Sequence, residues 1–171
     1  IRTQSANNQW NYSNLTDYYD ADNFWDTLPI AISAHWGAEQ VYNYFLQEHG
    51  RNSYDGEGSP IINIVNYGQN YPNAFWDGVK MTYGDGDGVD FFPLTSTEVV
   101  GHEIMHGVTE NTASLIYSGE SGGLNESYSD IYGVLLDYEI NPLTANFRMG
   151  DDFMPNGLGF RNMANPNEFS N

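Results

Sequence analysis

The chain has 171 residues, enough for one ordinary domain with a real core, and its 40 % hydrophobic and 15 % aromatic content exclude a disordered tail. Five Lys plus Arg stand against 23 Asp plus Glu, a formal charge of −18 that opposes nucleic acid and anionic membrane surfaces. There is no cysteine, hence no disulfide or thiolate metal site, and no apolar run of membrane-spanning length. The first residue is Ile1 rather than Met, which implies a processed or cut product.

Residues 1–27 are polar and aromatic and read as loop with short strands. Residues 28–49 carry Ile32, Trp36, Val41, Tyr44 and Phe45 at near-helical spacing, with Gly50 as a stop. After a turn-rich stretch at 51–59, Ile61–Val65, Ala74–Trp76, Val79–Tyr83 and Val89–Phe92 read as strands. Asp85 and Asp87 do not complete an EF-hand loop, because Val89 occupies the next ligand position, so they are turn residues. Thr95-Ser96-Thr97-Glu98 is a capping-box pattern opening a helix to about Asn111, and a second helix covers about 123–140. The tail from Asn141 is loop-like. The fold class is therefore α+β, a single domain with a twisted antiparallel sheet region over 1–94 and two adjacent helices with a cation-binding region over 95–171.

His102-Glu103-Ile104-Met105-His106 decides the chemistry. Histidines four apart on a helix share one face, roughly 6 Å apart along the axis, so one metal ion can take both imidazoles. Glu103 is rotated by about 100° and can stand beside the metal as general base for water. Glu126 supplies a third ligand from the next helix, leaving the open fourth position that a catalytic zinc site requires. Asp130 follows Glu126 by one turn and is placed to orient a liganding histidine, and Asn125 can serve the other through its side-chain oxygen. The acids are spread along the chain as a mostly solvated surface, but the minority gathered near these helices would repel one another without a cation, and calcium suits an all-oxygen site.

These residues match a family. Gly101–His106, Asn125-Glu126-Ser127-Tyr128-Ser129-Asp130, Asn73-Ala74-Phe75-Trp76, Tyr83–Gly88 and Leu115-Ile116-Tyr117 resemble thermolysin-like neutral metalloproteases over about Asp20–Phe169. The resemblance implies a secreted, extracellular zinc endopeptidase that acts on polypeptides and cuts on the amino side of bulky apolar residues. It implies that Asn73 and the Ala74 backbone hold the substrate main chain, Tyr117 stabilises the oxyanion and Arg161 orients the carbonyl. The pocket after the scissile bond would be lined by Phe91, Leu94, Val99, Met149 and Phe160. Glu98 and Asp137 match calcium ligands, with Asp151 and Asn141 as companions, and Arg148 would stand in for a second calcium. Family members continue into a helical C-terminal lobe that forms the other cleft wall and supplies a further histidine. His35 and His49 do not match that position, so the chain reads as a partial domain whose cleft is completed by that lobe or by a separate chain. Two readings stay open: an active endopeptidase, or a zinc- and calcium-binding module without turnover.

Overall fold

The computed structural model describes residues 1–18 and 29–169. The helix start read at Leu28, and the loop reading over 19–27, lie outside the described residues. The chain forms β1 (Arg2–Ser5), β2 (Thr16–Asp17), α1 (Pro29–His49), β3 (Ile62–Val65), β4 (Ala74–Trp76) and β5 (Met81–Tyr83). It continues into α2 (Thr97–Glu110), α3 (Gly119–Ile140), β6 (Arg148–Met149) and β7 (Arg161–Asn162).

The class is α+β, but the five-stranded sheet is mixed rather than antiparallel throughout, with spatial order β2-β1-β3-β5-β4. β1 and β3 run parallel, Arg2 opposite Ile62 and Ser5 opposite Val65, because α1 lies between them as a crossover. β3 and β5 are also parallel, since β4 makes the reversal and pairs antiparallel at the edge, Ala74 opposite Tyr83. Asp77 closes that hairpin by accepting from the Val79 and Lys80 amides, while Gly78 takes a positive φ of 95°.

Val89–Phe92, expected as a strand, is a turn. The Asp87 carboxylate accepts from the amides of Val89, Asp90 and Phe91, which removes those donors from any ladder. α3 starts at Gly119, so Gly122 and Gly123 lie inside it rather than at its start. The tail contains one short antiparallel pair, Arg148 opposite Asn162.

The core lies between α1, the sheet and α2, and is built from Ala34, Ala38, Val41, Phe45, Val65, Met81, Tyr83, Val100 and Ile104. Gly37 of α1 lets the helix approach Val100, whose side chain would lie 3.3 Å from an added Cβ. α2 and α3 cross still closer. A Cβ on Gly133 would meet the Glu98 carbonyl oxygen at 2.4 Å, and one on Gly101 would meet Leu136 at 2.7 Å. This crossing brings two helical faces together where the candidate ligands lie.

Candidate metal centre and active-site cleft

α2 carries His102, Glu103 and His106, and its apolar residues Val99, Val100, Ile104 and Val108 bury it in the core, so these polar side chains cannot swing freely. His102 and Glu103 are only 7 % and 5 % exposed. α3 presents Asn125, Glu126, Ser129 and Asp130 to them, and each ring is held at its outer nitrogen. His102 Nδ1 lies 2.8 Å from Asp130 Oδ1, and His106 Nδ1 lies 2.7 Å from Asn125 Oδ1. Both partners are acceptors, so both Nδ1 atoms carry hydrogen and, in the neutral rings, both Nε2 lone pairs face inward. Those two Nε2 atoms are 3.0 Å apart, a repulsive arrangement unless a proton or a metal ion sits between them.

Glu126 closes the third side, with its carboxylate oxygens 3.4 Å from His102 Nε2 and 3.5 Å from His106 Nε2. Ligands at zinc-like bond lengths in a tetrahedron lie about 3.3 Å from one another. The observed spacing therefore fits zinc, and nitrogen and carboxylate donors suit it. Among the described residues this is the one group of three His, Cys, Asp or Glu side chains converging this closely.

The electrostatics agree with a cation at the centre. Burial alone would lower His102, but hydrogen bonds to Asp130 and Glu126 outweigh it and hold the ring up at about 9. His106 is pushed down, by burial and then by the His102 charge. Glu126 is held down at about 2, chiefly by its hydrogen bond with His102. Burial raises Glu103 to about 7, and its Oε2 has no hydrogen-bond partner. A carboxylate poised near neutrality with a free oxygen is suited to proton transfer.

A cleft of about 730 Å³ opens over this centre. Asn73, Ala74, Leu94, Val99, Met149, Phe160, Tyr117 and Arg161 all line it. Phe91 does not; its ring faces Phe153 and packs against the core instead. Tyr117 is 66 % exposed, and its hydroxyl donates to Glu126. That bond raises the phenol to about 12. Arg161 Nη2 and Nε each lie 2.7 Å from the Asp130 carboxylate, so the residue that holds His102 also anchors the arginine.

Residues 1–110 match the family model of the thermolysin metallopeptidase catalytic domain, and residues 113–171 match that of its alpha-helical domain. The chain belongs to the thermolysin metallopeptidase family. The two models meet between α2 and α3, so α3 and the tail match the helical domain. A bacillolysin of Brevibacillus brevis is 46 % identical over 158 residues, 92 % of this chain and 28 % of that protein. A thermolysin of Alicyclobacillus acidocaldarius is 43 % identical over 143 residues, 81 % of this chain and 26 % of that protein. The precursor of protealysin, a metalloproteinase from Serratia proteamaculans, superposes with a TM-score of 0.86 at 33 % identity, covering 95 % of this chain and 53 % of that one. The chain thus spans 28 % or less of those two curated relatives' length.

Within this thermolysin-family chain the calcium candidates are more dispersed than the zinc candidates. Glu98 is buried, accepts from the Gly150 amide at 3.3 Å and leaves Oε2 without a partner. Asp137 accepts from Asn141, and Asp151 accepts from Asn146 at 2.6 Å. Arg148 does not sit among these acids in the role expected of it: it donates to the Leu158 carbonyl and pairs with Glu168 at 2.9 Å. Ser96 makes no side-chain cap bond, so the capping-box pattern is not realised. Sequence reasoning missed Asp152, whose charge is felt by Glu98, and Ser129, whose hydroxyl lies 3.2 Å from His106 Nδ1. Ser129 had a usable signal, lying on the same helical face as Glu126 three positions on.

Proposed function

We propose that the chain is the zinc-binding core of a secreted metalloendopeptidase that cleaves on the amino side of bulky apolar residues. One observation carries this reading: two inward imidazole nitrogens and a carboxylate converge on one point in a cleft, beside Glu103, whose Oε2 has no hydrogen-bond partner. Secretion and the cleavage preference rest on the family resemblance. Zinc bound by His102, His106 and Glu126 would polarise a carbonyl and lower the pKa of a water to about 7.

The chain's own residues supply the rest. Glu103 accepts the proton of the attacking water and passes it to the leaving amine. Tyr117 and Arg161 stand at the rim, where charge grows on the carbonyl oxygen. β4 is the sheet edge, so its free backbone groups and Asn73 can align an extended substrate. Leu94, Val99, Met149 and Phe160 offer an apolar pocket to the residue after the scissile bond. Glu98, Asp137, Asn141 and Asp151 are proposed to hold calcium beneath this wall.

A second reading is a zinc- and calcium-binding module without turnover, since the Tyr117 hydroxyl is held by Glu126 and Arg161 by Asp130 rather than turned to a substrate carbonyl. Casein hydrolysis by the zinc-loaded protein separates the two. The endopeptidase reading expects cleavage that falls by about 10²-fold or more in Glu103→Gln, with zinc content unchanged. Intact zinc with no cleavage by the parent supports the module, and undiminished cleavage in the variant removes Glu103 from its role.

A further inference from the structure

The peptidase reading uses the cleft up to His106, but the cleft continues past it. Trp76, Asp77, Gly78, Glu110 and Ser114 line this further end. Along α2 the apolar wall lies before His102 and Glu110 lies after His106, so the two ends differ sharply in chemistry. Asp77 is neutralised by Lys80, 2.5 Å away. Glu110 is different. Its Oε2 accepts from Trp76 Nε1 at 2.8 Å, and no ion pair to it is found among the described residues. Arg161, the one Lys or Arg among the described residues lining the cleft, is committed to Asp130 at the centre.

The surroundings hold Glu110 in place. The Trp76 indole that binds it packs edge-on to Tyr54, centroids 4.9 Å apart, and an added Cβ on Gly107 would lie 3.2 Å from it. Opposite, an added Cβ on Gly78 would come 3.9 Å from Glu110 Oε1, so the missing side chain leaves that oxygen open to the cleft. A fixed carboxylate beside a flat indole suits the methylenes and charged head of a Lys or Arg. We propose that Glu110 is a specificity-determining residue that selects a cationic side chain upstream of the scissile bond. Glu110 lies about 9 Å along α2 from the midpoint of the two histidines, and an extended peptide advances ~3.3 Å per residue. The selected side chain therefore belongs to the second or third residue before the bond.

This inference rests on the peptidase reading, so its test uses binding, with cleavage followed separately. Fluorescein-labelled peptides with one Leu after the intended bond would carry Lys, Ala or Glu at both upstream positions. Their anisotropy would be measured on the zinc-loaded Glu103→Gln protein, alone and with Glu110→Gln or Glu48→Gln added. Glu48 is an exposed acid on α1 outside the cleft, and its variant removes the same charge from elsewhere. The expected order is Lys tighter than Ala tighter than Glu, with roughly three- to fivefold between Lys and Ala, the range of an exposed ion pair. That order should collapse in Glu110→Gln and persist in Glu48→Gln. Equal affinities, an order that survives Glu110→Gln, or no peptide binding would overturn the subsite. Casein cleavage by the parent protein, or its absence, decides the peptidase reading independently.

Discussion

Asp130 makes three contacts with two side chains: His102 Nδ1 at 2.8 Å and two nitrogens of Arg161 at 2.7 Å each. Losing its carboxylate would free the His102 ring to rotate and leave Arg161 without its anchor. Asp130→Ala should weaken zinc binding about 10–100-fold, as removal of such supporting carboxylates does. Competition against a chelating dye would measure this, and an unchanged affinity would show that Asp130 does not orient the ring. At this scale much was legible: helical periodicity puts His102 with His106 and Glu126 with Asp130. Joining the two pairs took the motif and its spacing, and Asn125 lies about 100° round the helix from Glu126. Phe91 and Phe160 are harder to tell apart in sequence, because both rings pack against Phe153 and only Phe160 also lines the cleft.

The candidate ligands come from two helices, so their convergence depends on how closely α2 and α3 approach. Gly133 sets that distance, since any Cβ there would strike the Glu98 carbonyl, a backbone atom that cannot step aside. Gly133→Ala should destabilise the protein by about 1–3 kcal/mol and weaken zinc binding with it. Thermal melts and zinc titration on one sample would check both; a normal melt with normal affinity would mean the crossing is tolerant. Glu98, at the same crossing, gives a pH test. Burial raises its folded pKa to about 7, so the metal-free fold favours its protonated form. Its contribution is therefore fully present below the unfolded carboxylate range and is lost as pH rises through about 7. Glu98→Gln should raise the metal-free melting temperature at pH 8 but not at pH 4, and should blunt any rise caused by calcium. A calcium response of equal size in both proteins would remove Glu98 from the proposed ligands. Element type was readable for all three helices, whereas strand direction was not. Periodicity fixes which face a strand buries but not the path by which the chain returns, and α1 as a crossover makes β1 and β3 parallel.

For the whole molecule, charge sets the terms. Of five Lys and Arg residues, Arg2, Lys80, Arg148 and Arg161 already pair with acids, which leaves most of the 23 carboxylates uncompensated. A divalent cation placed among converging side chains relieves that repulsion locally, and the inward-facing Nε2 atoms mark where it fits best. Among the described residues no helix is long and apolar enough to cross a membrane.

The most direct test is the zinc content of the purified chain, by elemental analysis, beside His106→Ala and Glu126→Ala. One tightly held zinc per parent chain, lost or greatly weakened in both variants, is the predicted result. No zinc in the parent, or full zinc after removal of Glu126, would contradict a shared three-residue centre.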